Sequence, residues 1–167
     1  MWQEILDKFR RYPAQEKVIR LILERGFQVN DRCRVVSGHI EIPHAQIAKE
    51  LDVDRRVVDT TAAAIRDDEK LWNIFKNVRS ITFLADVAPV LGLGVIEITP
   101  NDATQTGLLG NIATAVAKYG LSIRQAVSDD PYFVENPKLT IITEGKIPGE
   151  LVRLLMDIKG VKRVTVS

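Results

Sequence analysis

The chain has 167 residues, 46% of them hydrophobic and 27% charged, and a formal net charge of +1. This composition predicts packed cores rather than disorder, and the small net charge argues against a protein that coats nucleic acid without sequence preference. No apolar run approaches the ~20 residues of a membrane span, and the amphipathic start lacks the apolar core of a secretory signal. Because the sequence has one cysteine, Cys33, an internal disulfide is excluded. We therefore expect a cytoplasmic protein with no membrane partner, made of one or two small domains.

The amino-terminal part of the sequence has the period of amphipathic helices. Apolar residues at helical spacing predict one helix before Pro13 and a second from Pro13 to Gly26, where glycine ends the pattern. The first apolar stripe consists of Trp2, Ile5, Leu6 and Phe9, and the second of Val18, Ile19, Ile22 and Leu23.

Residues 42–66, IPHAQIAKELDVDRRVVDTTAAAIR, predict two short helices joined by a tight turn. The first helix spans 43–51, the turn falls at Asp52 and Val53, and Asp54 is a natural N-cap for the second helix. The small side chain of Ala48 lets the two helices cross closely, and the pattern resembles a helix-turn-helix motif.

The second of these helices carries the candidate DNA-binding residues. We expect Arg55, Arg56, Thr60 and Arg66 to face outward, where arginines can reach phosphates or guanine edges. Asp59 shares this face, and its carboxylate repels phosphates unless it pairs with Arg55 or accepts from cytosine. Two short amphipathic helices also occur in many helical bundles, so a protein-binding surface stays open as the alternative.

Metal and catalytic motifs are missing from the sequence. Cys33, His39 and His44 do not have the spacing of a zinc site, and we expect surface histidines and a buried thiol. No nucleophile triad, Walker or dinucleotide motif is present either. We therefore expect no catalytic residue, no metal, no cofactor and no enzymatic activity.

Residues 79–92, RSITFLADVAPVLG, are predicted to connect two domains. Alternation at Ile81, Phe83 and Ala85 is compatible with a short strand before Pro89 breaks the pattern. Because the segment is mostly apolar, we expect it to be packed rather than flexible.

Residues 93–167 predict the element order βαββαβ. Strands around 95–98, 121–127, 139–142 and 161–166 alternate with helices beginning near Gly107 and Pro148. This order predicts a ferredoxin-like antiparallel sheet with two helices on one face. The first two strands then run parallel, which places the loop 101–106 and the turn 129–130 at the same end of the sheet. Free N–H groups where the first helix begins suit a small anion such as a carboxylate.

This part of the chain resembles an ACT domain, a small ligand-sensing module of the same topology. The resemblance is carried by Asn101, Asp102, Gly107, Leu108 and Leu109, followed by Leu121-Ser122-Ile123. The loop is longer than usual and has no proline before Gly107, and Ser122 stands where asparagine is common. The resemblance implies that a small-molecule effector, with an amino acid favoured, binds at the following residues: Asn101, Asp102, Gly107, Leu108, Leu109, Ser122, Ile123, Asp129 and Asp130.

Over nearly its full length the chain resembles the archaeal ACT-domain-containing regulators of amino-acid metabolism. The phrases IPHAQIAKELDVDRRVV and VAPVLGLGVIEI and the domain order carry this likeness. It implies an α+β chain with a helical, helix-turn-helix-like domain at 1–78, a connector at 79–92 and an ACT-like domain at 93–167. We expect a ligand-responsive, transcriptional regulator that forms a homodimer or higher even oligomer. A module that binds a protein partner through its helical half is the first alternative, and a small enzyme the second.

Overall fold

The computed structural model describes residues 2–132 and 134–167, with the side chains of residues 2–4 excepted. The chain divides into two compact units, Met1–Thr82 and Phe83–Ser167. The second unit thus includes residues 83–92 of the segment expected as a connector. Within the described residues, no helix is long and apolar enough to cross a membrane.

The first unit is mainly helical and contains one small sheet. Its helices are α1 (Trp2–Phe9), α2 (Pro13–Glu24), α3 (His44–Leu51), α4 (Arg55–Asp67) and α5 (Glu69–Phe75). Its strands β1 (Gln28–Val29), β2 (Val35–Ser37) and β3 (Ile40–Glu41) form an antiparallel sheet in that order. The helices α1 to α4 confirm the helices predicted from the apolar periodicity, but the small sheet was not predicted. Strands of two or three residues are too short to show an alternating pattern.

The predicted turn between α3 and α4 is present. Asp52 adopts a left-handed conformation with φ of 51°, and the Val53 N–H donates to the Ala48 carbonyl at 3.0 Å. Asp54 caps α4 by accepting from the Arg56 N–H at 2.7 Å. Ala48 is buried, so α3 can approach α4 closely. The stripe on α4 that faces this core consists of Val58, Thr61, Ala62 and Ile65.

The second unit is a ferredoxin-like βαββαβ domain. Its elements are β4 (Leu93–Pro100), α6 (Leu108–Lys118), β5 (Ile123–Ser128), β6 (Leu139–Glu144), α7 (Gly149–Met156) and β7 (Val161–Val166). The strand order is β5-β6-β4-β7 with antiparallel neighbours, so β4 and β5 run parallel and β5 and β7 are the edges. This topology confirms the α+β fold class, and it places the loop after β4 and the turn after β5 at one end of the sheet.

Both faces of this sheet carry packed residues. Ile96, Ile98 and Ile141 lie in a core with α6 and α7. On the opposite face, the segment 84–93 covers Val95 and Ile142, and the Leu84 N–H donates to the Gln125 side-chain oxygen at 3.0 Å.

The short strand predicted at Ile81, Phe83 and Ala85 is wrong. Residues 79–84 have no regular structure, and Pro89–Leu91 forms a 3₁₀ turn. Leu84 and Ala85, which lie in the segment 79–92, pack onto the sheet of the second unit instead of joining it as a strand. Sheet-covering and strand formation both use apolar residues, so the short alternation did not distinguish them.

Candidate functional site

The outward face of α4 holds a charged cluster built around Asp59. The buried His44 ring accepts from the Val35 N–H through Nε2 at 3.2 Å, which leaves Nδ1–H to donate to Asp59 at 2.6 Å. Arg55 lies 3.5 Å from the other carboxylate oxygen. The hydrogen bond from His44 and the positive charge of Arg55 hold the pKa of Asp59 below its ordinary value of 3.8. Asp59 is therefore an engaged anion and not a free one.

His44 corrects the expectation of surface histidines, because only 5% of it is exposed. It is also a structural residue that the sequence pattern missed. A histidine one position after Pro43 looks like an ordinary exposed start of a helix. Its burial depends on the strand β2, whose Val35 N–H has its hydrogen-bond partner in this ring. Cys33 is half-buried rather than fully buried, and its φ is 55°.

The four candidate DNA-binding residues of α4 do not share one environment. Arg55 and Arg56 are exposed in the first turn. Thr60 is exposed and accepts from Gln15 of α2 at 3.2 Å. Arg66 is half-buried near the other end of α4, with its guanidinium 4.5 Å from the centroid of the Trp72 ring. Of the three arginines, the two in the first turn of α4 are therefore the more accessible to a partner.

A further arginine lies near this turn and was not singled out from the sequence. Arg34 precedes Val35, whose N–H binds His44, and its charge contributes to lowering the pKa of Asp59. The loop that carries it is shaped by Asn30, whose side-chain oxygen accepts from the N–H groups of Arg32 and Arg34 at 3.0 and 2.9 Å. The tertiary arrangement alone places Arg34 beside α4.

In the second unit, the predicted ligand loop is a folded structure held by its own residues. Asp102 accepts from the backbone N–H and the hydroxyl of Thr104 at 2.8 and 2.7 Å, and these bonds lower its pKa. The Asn101 N–H donates to the Gly160 carbonyl at 2.8 Å, and Gln105 donates to the Lys159 carbonyl at 3.1 Å. The loop is thus fixed against the turn between α7 and β7.

The start of α6 has free donors. Gly107 occupies the N-cap position with φ of 79°, and none of the described side chains caps this helix. Leu108 is buried in the core, whereas Leu109 is 49% exposed. The N–H groups of this first turn therefore lie beside an exposed loop, as an anion site requires.

The remaining candidate residues divide between the two ends of the sheet. Asp129 lies at the same end as the start of α6, and its carboxylate accepts from the Lys138 N–H at 3.0 Å. Asp130 accepts from the Tyr132 N–H at 2.8 Å, so both aspartates stabilise their own loop. Ser122 and Ile123 lie at the opposite end, where the Glu144 N–H donates to the Ser122 carbonyl. One copy of the chain does not bring these two residues together with the loop 101–106.

No family model matches this sequence, and no curated protein matches it. Among solved structures, the ACT domain of GTP pyrophosphokinase from Chlorobium tepidum is 20% identical, covers 45% of this chain and 96% of its own, and has a TM-score of 0.36. The carboxy-terminal domain of the MgtC protein from Mycobacterium tuberculosis is 19% identical over 45% of this chain and 83% of its own, with a TM-score of 0.33. A transcriptional regulatory protein of the AsnC family from Pyrococcus furiosus is 11% identical over 92% of this chain and 85% of its own, with a TM-score of 0.28. Such low identities and TM-scores transfer no function to this chain.

Proposed function

We propose that this protein is a metabolic regulator that binds double-stranded DNA through α4 and responds to an amino acid or related metabolite bound by its second unit. The observation that carries the proposal is the first turn of α4. Arg55 and Arg56 are exposed there, and the carboxylates of Asp59 and Asp54 beside them are both engaged, Asp59 by His44 and Arg55 and Asp54 by the Arg56 N–H. A helix that follows a tight helix-turn-helix connection and presents arginines at its start has the features of a DNA-reading element.

A footprinting survey of genomic fragments with the full chain tests the DNA part of this proposal. We expect protection of discrete sites at physiological salt, because a net charge of +1 gives little attraction for random sequence. Binding of a protein partner through the same surface is the remaining alternative for the first unit. Uniform weak retention of all fragments, together with co-purification of a partner that contacts α4, would favour that alternative.

The ligand proposal rests on the uncapped start of α6 and the adjacent loop. A zwitterionic amino acid offers a carboxylate to the N–H groups of Leu108 and Leu109 and an ammonium to the oxygens of Asn101 or Asp102. A thermal-shift screen of amino acids with the full chain tests this pairing, since a ligand at 100 times its dissociation constant adds about 2.7 kcal/mol. If the protein chemically converts a ligand that stabilises it, the alternative function, a small enzyme, would be favoured instead.

Replacing Gly107 with valine should abolish stabilisation by any amino acid that the screen identifies. A Cβ at this position meets no atom within 4 Å, so the effect of the substitution comes from the backbone and not from crowding of the loop. A β-branched residue strongly disfavours φ of 79°, and relaxing it moves the N–H groups of the helix start. Gly120→Val is the matched control, because Gly120 also has a positive φ, of 68°, and open space around it, but follows the opposite end of α6. Equal ligand stabilisation in the Gly107 variant and the parent would place the ligand elsewhere.

The protein should form a homodimer or a higher even oligomer. The strands β5 and β7 are sheet edges, and such edges are normally paired or covered in native proteins. Two-fold symmetry also lets two copies of α4 read a palindromic site. Light scattering at micromolar concentration should return at least twice the mass of 18.7 kDa. A monomer at that concentration contradicts this prediction.

A further inference from the structure

A cavity of about 330 Å³ opens at one end of the second unit. It is lined by Thr99, Asn136, Lys138, Lys162 and Arg163. None of these residues belongs to the proposed amino-acid site. Three of the five lining side chains are cations and the other two are neutral hydrogen-bonding groups, so the cavity has the chemistry of an anion site.

The cavity lies on the sheet face that α6 and α7 leave uncovered. Ile98 and Val164 pack with the helices, whereas Thr99 and Arg163, which pair in register, alternate with them and face the other side. The segment 84–93 covers Val95 and Ile142 on that face. Those residues lie closer to the start of β4, so the end with Thr99 is the part with the open cavity.

A β-bulge explains why two consecutive cations line the same cavity. Thr99 pairs with Arg163 but Pro100 pairs with Val161, so Lys162 is an extra residue in β7. Side chains of consecutive residues in a regular strand point to opposite faces. The bulge removes that alternation locally, and it lets Lys162 and Arg163 both reach the cavity.

The protein balances only one of the three positive charges that the described structure places in the cavity. Lys138 forms an ion pair with Glu97 at 2.9 Å. Within the described part of the chain, neither Lys162 nor Arg163 forms an ion pair with a carboxylate. Two adjacent positive charges in a concave site attract anions and repel each other when the site is empty. An anion with two charges matches the two unpaired cations.

We propose that this cavity binds the phosphoryl group of a small metabolite. The guanidinium of Arg163 can bind two phosphate oxygens at once, and Lys162 supplies a second charge. The Asn136 amide and the Thr99 hydroxyl offer neutral donors to the remaining oxygen and the bridging atoms. The volume exceeds that of a single phosphate group, which leaves room for the molecule that carries it. This proposal does not depend on amino-acid sensing or DNA binding by other residues.

Isothermal titration of the full chain with glycerol 3-phosphate, inorganic phosphate and succinate tests the proposal. We expect binding of both phosphate compounds, weakened about ten- to a hundredfold in Arg163→Gln and in Lys162→Gln. Arg163→Lys should fall between, because it keeps the charge and loses the bidentate geometry. Lys118→Gln is the matched control, since Lys118 is exposed at the end of α6 on the other side of the sheet.

Four results would overturn the proposal. They are no binding of either phosphate compound at millimolar concentration, equal weakening in the Lys118 control, tighter binding of succinate, and loss of duplex DNA affinity in Arg163→Gln without loss of phosphate binding. The cavity variants change exposed residues, and a thermal unfolding scan in phosphate-free buffer verifies that they fold. If the Arg55 and Arg56 variants fail to alter DNA binding, the proposal of a phosphate site in the cavity is not affected.

Discussion

Replacing both Arg55 and Arg56 with alanine should weaken DNA binding and lower the slope of log K against log salt by about 2, since each lost phosphate contact lowers it by about 1. Both side chains are exposed in the first turn of α4, where they project from the start of the proposed recognition helix. If either arginine also binds a guanine edge, the loss at that base pair adds about 1–3 kcal/mol. Fluorescence anisotropy with a footprinted site at several salt concentrations measures both effects.

A matched variant separates contact from net charge. Replacing Arg10 and Arg11 with alanine removes the same two charges from exposed positions after α1. We expect this control to leave the salt slope nearly unchanged, and both double variants to bind the amino-acid ligand as the parent does. An unaltered slope in the Arg55 and Arg56 variant means that α4 does not contact DNA, and the protein-partner alternative then leads.

Replacing His44 with alanine should lower the free energy of unfolding of the first unit by about 2–4 kcal/mol. The change removes a buried ring and leaves the Val35 N–H without its acceptor. It also removes the N–H that donates to Asp59 and leaves that carboxylate less engaged beside Arg55, so we expect weaker DNA binding in the same variant. Both tryptophans, Trp2 and Trp72, belong to the first unit, so urea unfolding followed by tryptophan fluorescence reports on this unit.

The other histidine provides the control for this experiment. His39 is exposed, and His39→Ala should change the unfolding free energy by less than about 0.5 kcal/mol. A loss in the His44 variant as small as that in the His39 variant would show that the bonds to Val35 and Asp59 contribute little to stability.

The acid limb of the stability curve tests Asp59 separately. Its pKa is lowered in the folded chain, so its contribution is present above pH 3.8 and is lost as the pH falls through the folded value. Asp59→Asn should therefore show a smaller loss of stability below pH 3.8 than the parent. An identical acid limb in both proteins would contradict the assigned pairing with His44 and Arg55.

The sequence by itself determined the helices α1 to α4 and the element order of the second unit. Helical periodicity and capping depend on residues three or four apart, which is why the turn at Asp52 and the cap at Asp54 could be predicted. The order βαββαβ then limited the topology, because few connections of these elements are allowed. The strand order of the structure confirms that prediction.

Only the tertiary structure decided which side chains meet across longer distances. The contact of His44 with Val35 and Asp59 joins residues 9 and 15 positions apart on three different elements. The segment 84–93 covers the sheet because Val95 and Ile142 need an apolar partner there. The pair Lys162 and Arg163 shares a cavity because β7 slips by one residue against β4. Strand register and burial depend on the whole fold, and no local pattern in the sequence records them.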